Sequence, residues 1–187
     1  AGASSGHGSP LGDEEISGTR GNLDWKYGPF EIPDELKEAW DCRQSGAESE
    51  SNWRQQFAEY ASKFPELAAE FERSVSGELP STWESRMAEL LKETAESGES
   101  KASRNASADV IGVIASMLPE LLGGSADLTG SNCTIWDEAQ PISDIAPGGN
   151  YVYYGVREFG MTAICNGIAL HGGLIPFSGT FLTFMEY

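Results

Sequence analysis

The chain has 187 residues, of which 40% are hydrophobic, and it carries a formal net charge of −17. An acidic excess on this scale repels phosphate backbones, so a nucleic-acid partner is not expected. The apolar content is sufficient for a packed core, and because no apolar run is long enough to cross a bilayer, the sequence predicts no membrane span.

The first 24 residues are rich in Gly, Ser and Pro and are predicted to form a loop. His7 lies in this loop between Gly6 and Gly8, where flanking glycines let a backbone approach a ligand closely. A mobile surface histidine is the alternative interpretation. The chain starts without Met and stops inside a helical pattern, which predicts a fragment whose targeting signal, if it has one, lies elsewhere.

Amphipathic helices are predicted after an aromatic, proline-containing segment at Trp25–Pro33, which is expected to be extended. Pro33 with two following acids, Pro65, and the S/T-x-x-E pattern of a capping box at Ser81–Glu84 mark three helix starts. Apolar residues then recur at helical spacing, which predicts packing faces and not a cofactor site. The segment 97–103 is a linker candidate.

Three cysteines, Cys42, Cys133 and Cys165, form no C-x-x-C pair. Reduced thiols of a cytosolic protein are the simplest interpretation, and Cys165 is predicted to be a core residue on an apolar helical face. With two histidines in the chain, a metal site built within it would need mostly oxygen ligands.

Arg104 lies near the start of the next predicted helix, where a cation opposes the helix dipole. Such a residue is either an anion-binding arginine or a plain surface arginine. A short strand at Leu121–Gly124 follows and runs into the segment 125–132, which offers hydroxyls, an acid and small residues. A ligand-binding loop and a simple Asx or ST turn are both consistent with this composition.

Two further runs are typical of strands, Tyr151–Tyr154 and Leu174–Phe177, and a helix is predicted between them from Glu158 to Gly172-Gly173. Ser178-Gly179 is then predicted to turn the chain. Phe181, Phe184 and Tyr187 recur every third residue, which favours one more helix. Alternating strands and helices predict the α/β class with a partial doubly wound, mostly parallel sheet. The strands are too few to cover both edges, so a remainder or a partner is expected.

Glu158 lies where a strand leads into a helix, the edge at which open α/β sheets bind ligands. A carboxyl group among nearby aromatic residues could perform acid/base chemistry in a pocket of low dielectric. From periodicity alone, an ordinary acid in the first turn of a helix is the alternative.

Several motifs together resemble the transketolase family. They are GGSADLTGSN at Gly123–Asn132, YYGVREFGMTAICNGIALHGG at Tyr153–Gly173, and FLTFMEY at Phe181–Tyr187. HGSPLG at His7–Gly12 and WKYGPFEIP at Trp25–Pro33 are similar to the segment that leaves the family's diphosphate domain. The resemblance implies the thiamine-diphosphate-binding fold, with the tail of the diphosphate domain at 1–24, a helical interdomain linker at 25–100, and the first part of the pyrimidine-binding domain at 101–187.

The resemblance also implies roles for individual residues. Glu158 matches the family's catalytic glutamate, which hydrogen-bonds N1′ of the cofactor's aminopyrimidine. Phe181, Phe184 and Tyr187 match aromatic residues around the aminopyrimidine, and Asp127 matches an acid near the thiazolium ring. Arg104 and Ser131 match residues that bind the substrate's phosphate. His7 matches a catalytic histidine near the cofactor and the donor sugar. No metal ligand is matched within this chain.

The implied activity is transfer of a two-carbon ketol unit from a ketose phosphate to an aldose phosphate through a thiamine-diphosphate ylide, as in the pentose phosphate pathway or the Calvin cycle. The resemblance further implies Mg²⁺ (or Ca²⁺) held by residues outside this chain, a homodimer with the site at the subunit interface, and a cytoplasmic location. The isolated chain is expected to be inactive. Two alternatives stay open: a non-catalytic module or half-subunit that needs a separate partner chain, and a related dihydroxyacetone synthase.

Overall fold

The computed structural model describes residues 4–186 and divides the chain into two compact units. The N-terminal unit comprises Ala1–Gln56 and the sheet unit comprises Phe57–Tyr187. The helices are α1 (Asp13–Asn22), α2 (Asp34–Trp40), α3 (Arg43–Lys63), α4 (Pro65–Ser76), α5 (Trp83–Ser97), α6 (Ser103–Met117), α7 (Thr129–Asn132) and α8 (Glu158–His171). The strands are β1 (Leu121–Ser125), β2 (Tyr151–Tyr153) and β3 (Ile175–Gly179).

The N-terminal unit corrects the prediction of a loop over residues 1–24, because α1 occupies Asp13–Asn22. Three consecutive acids from Asp13 to Glu15 fill its first turn and Arg20 lies in its last turn, so the charges complement the helix dipole and offset the low helix propensity of the two glycines within it. The segment 25–33 contains no helix, as predicted. The Tyr27 hydroxyl donates a hydrogen bond to Glu35 of α2 at 3.1 Å.

Helices α4 and α5 begin close to the predicted residues, but the two helix starts differ in which local features stabilise them. Pro65 is the first residue of α4, and Gly77 ends that helix in the left-handed conformation at φ 76°. The predicted capping box of α5, with Ser81 as its N-cap, is wrong, since the N-cap is Thr82 and no side-chain hydrogen bond caps the helix there. Among the described residues, no helix has the length and apolarity needed to cross a membrane.

The apolar stripe on α3 and α4, predicted as a packing face, is only partly covered in this chain. Phe57 packs against Phe71 with ring centroids 5.5 Å apart. Phe64 and Leu67, however, keep 49% and 59% of their surfaces exposed. The stripe therefore leaves a sizeable apolar surface exposed to solvent.

The sheet consists of three parallel strands in the order β2-β1-β3, which confirms the predicted α/β class and the parallel sheet. Gly123 pairs with Tyr151 on one side and with Phe177 on the other. A Cβ atom at Gly124 would lie 1.8 Å from the carbonyl oxygen of Val152, so glycine is required for this close strand approach. Ser178 and Gly179, predicted as a turn, instead extend β3.

The core is centred on the carboxyl half of the sheet unit. Ala126, Tyr154 and Met161 form a buried cluster, and Cys165 packs against it, which confirms the prediction that this cysteine is a core residue. Burial raises the pKa of Tyr154 above its ordinary value of 10, because the phenolate form would lose its hydration. The Tyr154 hydroxyl lies 3.7 Å from the Cys165 sulfur.

The chain after β3 does not form the predicted helix. One short 3₁₀ turn covers Leu182–Phe184, and Tyr187, the last residue of the predicted stripe, lies outside the described residues. The end of α8 agrees with the prediction, since Gly172 and Gly173 both adopt φ 81° directly after His171.

Candidate active site

Glu158 is the first residue of α8 and lies just beyond the carboxyl end of β2. Gly155, at φ 68°, redirects the chain between the strand and the helix. The side chain is buried, with 8% of the residue exposed, although it bears an ionisable group. A buried acid at a helix start and at the ligand-binding edge of a parallel sheet is a candidate for chemistry on a bound molecule.

The two carboxylate oxygens of Glu158 have different surroundings. Oε1 accepts a hydrogen bond from the Thr180 hydroxyl at 3.3 Å, while the backbone carbonyl of Glu158 accepts one from Thr162 at 3.0 Å. Within residues 4–186, no side chain is hydrogen-bonded to Oε2, and none forms an ion pair with Glu158. One oxygen is therefore positioned by the protein and the other is available to a ligand.

Glu158 lines two cavities, each with a phenylalanine. The Phe181 cavity, about 610 Å³, also contains Thr180 and Met161. The Phe184 cavity, about 310 Å³, also contains Asp127. The Phe181 and Phe184 rings lie 6.1 Å apart at an interplanar angle of 27°. The structure thus brings four of the predicted residues together, and two nearly parallel rings beside a carboxyl group suit a flat heterocycle.

Asp127 follows β1 in the left-handed conformation, at φ 61°, which is uncommon for a residue other than glycine. The preceding turn is fixed because the Leu128 backbone N–H donates to the Ser125 hydroxyl at 3.2 Å. The bond spans three residues and not two, so it differs from the ST turn that the sequence left open. The turn also carries Asp127 to the Phe184 cavity, so this turn and a ligand-binding role are compatible.

Arg104 and Ser131, 27 positions apart, are in contact, while the phosphate-binding role that the resemblance implies for them stays a prediction. The Arg104 Nη1 group donates to the Ser131 carbonyl oxygen at 3.3 Å. Arg104 lines a third cavity of about 810 Å³, the Arg104 cavity, which shares Thr180 and Phe181 with the Phe181 cavity. A guanidinium group beside the space next to Glu158 can bind an anionic group of a molecule that extends from it.

A chain of hydrogen bonds, most of them partly buried, links the loop after β1 to the sheet. Tyr151, which is fully buried, places its hydroxyl 2.8 Å from the hydroxyls of Thr129 and Thr134. Thr134 donates to Asn132 at 3.0 Å, and Asn132 donates to the Ser125 hydroxyl at 2.8 Å. A satisfied network of this kind rigidifies the backbone that carries it.

The roles of all the predicted site residues stay predictions, and two of these residues, His7 and Tyr187, are not placed near Glu158. His7 is exposed and belongs to the N-terminal unit, whereas the other described site residues belong to the sheet unit. Tyr187 lies outside the described residues. Over residues 4–186, no group of three or more His, Cys, Asp or Glu side chains could hold a metal ion.

Sequence reasoning missed Thr180 and the role of Asn132. A local signal for Thr180 exists, because it directly follows a strand at the edge where Glu158 lies. The signal was obscured when Ser178-Gly179 was interpreted as a turn. Asn132 has no local signal, because its contacts with Ser125 and Thr134 depend on the fold.

Two family models match the chain. The model described as "Transketolase, thiamine diphosphate binding domain" matches residues 1–80. The model described as "Transketolase, pyrimidine binding domain" matches residues 99–187. Together they account for most of the chain.

Relatives and solved structures agree with both models. The chain is 50% identical over 181 residues to transketolase 2 of Vibrio parahaemolyticus, which covers 97% of the chain and 27% of the relative. It is 50% identical over its whole 187 residues to transketolase 1 of Escherichia coli, covering 28% of that protein. The transketolase structure from Leishmania mexicana superposes with a TM-score of 0.81 at 32% identity, over 96% of the chain and 26% of that structure. The chain therefore spans about a quarter of the length of these relatives.

Proposed function

Since the chain belongs to the transketolase family, we propose that it forms part of a thiamine-diphosphate-dependent enzyme that transfers a two-carbon ketol unit between sugar phosphates. The relatives named above are transketolases, and the comparisons do not favour a non-catalytic module or a dihydroxyacetone synthase. The observation that carries the proposal is the buried Glu158 between two phenylalanine-lined cavities, with Oε2 available to a ligand.

The residues around Glu158 fit the aminopyrimidine end of thiamine diphosphate. A flat heterocycle with ring nitrogens needs an apolar slot and one hydrogen-bonding partner, which the Phe181–Phe184 pair and the Glu158 carboxyl group supply. When bound, the cofactor supplies the carbon nucleophile for which amino-acid side chains have no equivalent. Glu158 would hold a proton in a hydrogen bond to the ring nitrogen N1′ and would thereby set the protonation state of the aminopyrimidine.

Asp127 and the two phenylalanines position the heterocycles. The aromatic rings bury the flat faces and exclude water, which strengthens the hydrogen bond at Glu158. Asp127, in the Phe184 cavity beside Glu158, offers a carboxylate to the positively charged thiazolium ring. Tyr187 is proposed to extend the aromatic set.

Arg104 and Ser131 are proposed to bind the phosphate of the sugar substrate. Their contact at 3.3 Å brings a cation beside the Arg104 cavity, and that cavity shares Thr180 with the cavity at Glu158. A sugar phosphate can therefore extend from the reacting carbon toward a fixed positive charge. His7 is proposed to contact the donor sugar near the cofactor.

The wider properties of the enzyme are proposals from family membership. Mg²⁺ or Ca²⁺ with the diphosphate would be held by residues outside this chain, a homodimer would form the site at its interface, and the cytoplasm is the proposed location. The small core and the exposed apolar stripe on α3 and α4 accord with association of this chain with further protein.

The test is the kcat for ketol transfer in the enzyme that carries this chain, with Glu158→Gln compared with Glu84→Gln. Glutamine keeps the size of the side chain but cannot hold a transferable proton, so Glu158→Gln should lower kcat by about 100-fold or more. Glu84 is an exposed acid in the first turn of α5, and its substitution should leave kcat unchanged. A kcat within threefold of the wild type for Glu158→Gln would remove the proposed mechanism.

A further inference from the structure

Thr180 is the first residue after β3 and lies between the two spaces proposed for cofactor and substrate. Its side chain lines both the Phe181 cavity and the Arg104 cavity. Its hydroxyl donates to Glu158 Oε1 at 3.3 Å. This distance is long for an O–H···O hydrogen bond, and contacts of this kind tighten when a ligand completes the site.

The backbone that carries Thr180 is tightly fixed. The carbonyl oxygen of Gly179 accepts two hydrogen bonds, from the Ser125 hydroxyl at 3.1 Å and from the Ala126 backbone N–H at 3.1 Å. Gly179 packs so closely that a Cβ atom there would lie 2.5 Å from the Thr134 methyl group and 3.0 Å from the Asn132 amide nitrogen. The position of the Thr180 backbone is therefore set by the hydrogen-bond network of the loop after β1.

Thr180 itself is a stiff side chain, because branching at Cβ restricts its χ1 rotation. The glutamate it contacts has three rotatable bonds and would otherwise sample several rotamers. A rigid donor on a fixed backbone can hold one carboxylate oxygen and thereby orient the other. In this chain the held oxygen is Oε1, and Oε2 is bonded to no side chain within residues 4–186.

We propose that Thr180 is a positioning residue for Glu158, whose hydroxyl holds Oε1 so that Oε2 meets the cofactor's ring nitrogen. The inference rests on the proposed function for the identity of that ring. The partly buried Ser125–Asn132 hydrogen bond is the support through which Thr180 keeps its position. The same network fixes the loop that carries Ser131. It therefore positions both Thr180, beside Glu158, and Ser131, which contacts Arg104.

The experiment compares Thr180→Val, which keeps the shape and removes the hydroxyl, with Thr180→Ser, which keeps the hydroxyl. Thr94→Val is the matched control, since the Thr94 hydroxyl donates only to the Leu90 carbonyl in the exposed helix α5. Calorimetric titration of the apoenzyme with thiamine diphosphate and Mg²⁺ gives the cofactor Kd. The same preparations give kcat for ketol transfer, KM for the sugar phosphate and Tm.

Thr180→Val should raise the cofactor Kd and lower kcat by about tenfold each, with KM for the sugar phosphate and Tm close to the wild type. Thr180→Ser should restore both parameters to within threefold. Thr180→Ala gives the same comparison if the valine variant aggregates. Thr94→Val should change none of the four measurements.

Two results would overturn the inference. One is a valine variant whose cofactor Kd and kcat stay within twofold of the wild type. The other is an equal loss in the serine and valine variants accompanied by a lower Tm, since packing and not the hydroxyl would then be responsible. If the wild type binds thiamine diphosphate but transfers no ketol unit, the proposed function fails while the Kd series still decides the role of Thr180.

Discussion

The two units of this chain are stabilised by different kinds of contact. In the N-terminal unit, Pro33 is the single buried residue among the side chains that the structure describes, and the ion pairs among residues 4–56, such as Arg54–Glu50, join residues two to four positions apart. In the sheet unit, Tyr151 is fully buried and the Arg73–Glu120 ion pair spans 47 positions. The N-terminal unit is therefore held mainly by contacts between residues close in sequence, whereas the sheet unit is held by contacts between residues far apart in the chain.

This difference decides where a site can be built. Catalytic geometry needs side chains fixed by packing and by hydrogen bonds from several elements. In the sheet unit, Glu158, Thr180 and Asp127 come from three separate segments and meet at the carboxyl edge of the parallel sheet. The N-terminal unit contributes one predicted site residue, the exposed His7, whose side chain is bonded to none of residues 4–56 of that unit.

The largest expected effect on stability is the difference between breaking the Arg73–Glu120 ion pair and breaking the Arg54–Glu50 ion pair. Arg73 donates to both carboxylate oxygens of the buried Glu120 at 2.9 Å, and its hydrogen bonds to Glu70 and Glu120 raise its pKa. Arg73→Met would leave Glu120 buried without a partner, at a cost of about 3 to 5 kcal/mol in the free energy of unfolding. Arg54→Met, in the exposed pair, should cost less than about 0.5 kcal/mol.

Urea titrations followed by circular dichroism measure both variants against the wild type. If Arg73→Met and Arg54→Met lowered the free energy of unfolding equally, the proposed difference between the two units would be contradicted. An unfolding free energy for Arg73→Met within 1 kcal/mol of the wild type would mean that water or another cation replaces the guanidinium group, roughly as at a surface ion pair.

A second prediction concerns two glycines of the sheet unit. Gly124→Ala must separate β1 from β2, because the new Cβ would meet the Val152 carbonyl oxygen, and it should cost about 3 kcal/mol. Gly112 lies inside α6 with open space at its Cβ position, so Gly112→Ala should instead stabilise the helix by about 0.5 to 1 kcal/mol. Hydrogen–deuterium exchange of the peptides that contain β1 and α6 reports the two effects locally. Equal protection of β1 in the Gly124→Ala variant and the wild type would contradict the strand contact.

Much of the sheet unit could be predicted from the sequence because its strands and α8 carry clear periodicity between glycines. The start of α8 at Glu158 and its end at Gly172 agree with the prediction. The contact between Arg104 and Ser131 was not predicted, since a single cation at a helix start does not identify its partner.

What the sequence did not predict depends on long-range contacts or on competing local preferences. Thr180 and Asn132 acquire their roles only when β3 and the loop after β1 are side by side. The helix α1 was missed because Gly18 and Gly21 favour a loop, while the acids at its start and Arg20 at its end stabilise the helix instead. The capping box predicted at Ser81–Glu84 was wrong because α5 begins one residue later than the box requires, with Thr82 as an N-cap that makes no side-chain hydrogen bond.

The smallest expected effect tests the N-terminal unit directly. Leu23 follows α1 and keeps 73% of its surface exposed, whereas Leu121 opens β1 and keeps 6%. Leu23→Ser should change the exchange protection of the α1 peptide by no more than about 0.5 kcal/mol, because little apolar surface returns to water. Leu121→Ser should cost the β1 peptide about 3 kcal/mol, since it removes a buried side chain and leaves a hydroxyl in its place. If Leu23→Ser lowered the exchange protection of the α1 peptide by more than 1 kcal/mol, other parts of the protein would have to cover α1. The N-terminal unit would then be stabilised by residues distant in sequence, as the sheet unit is.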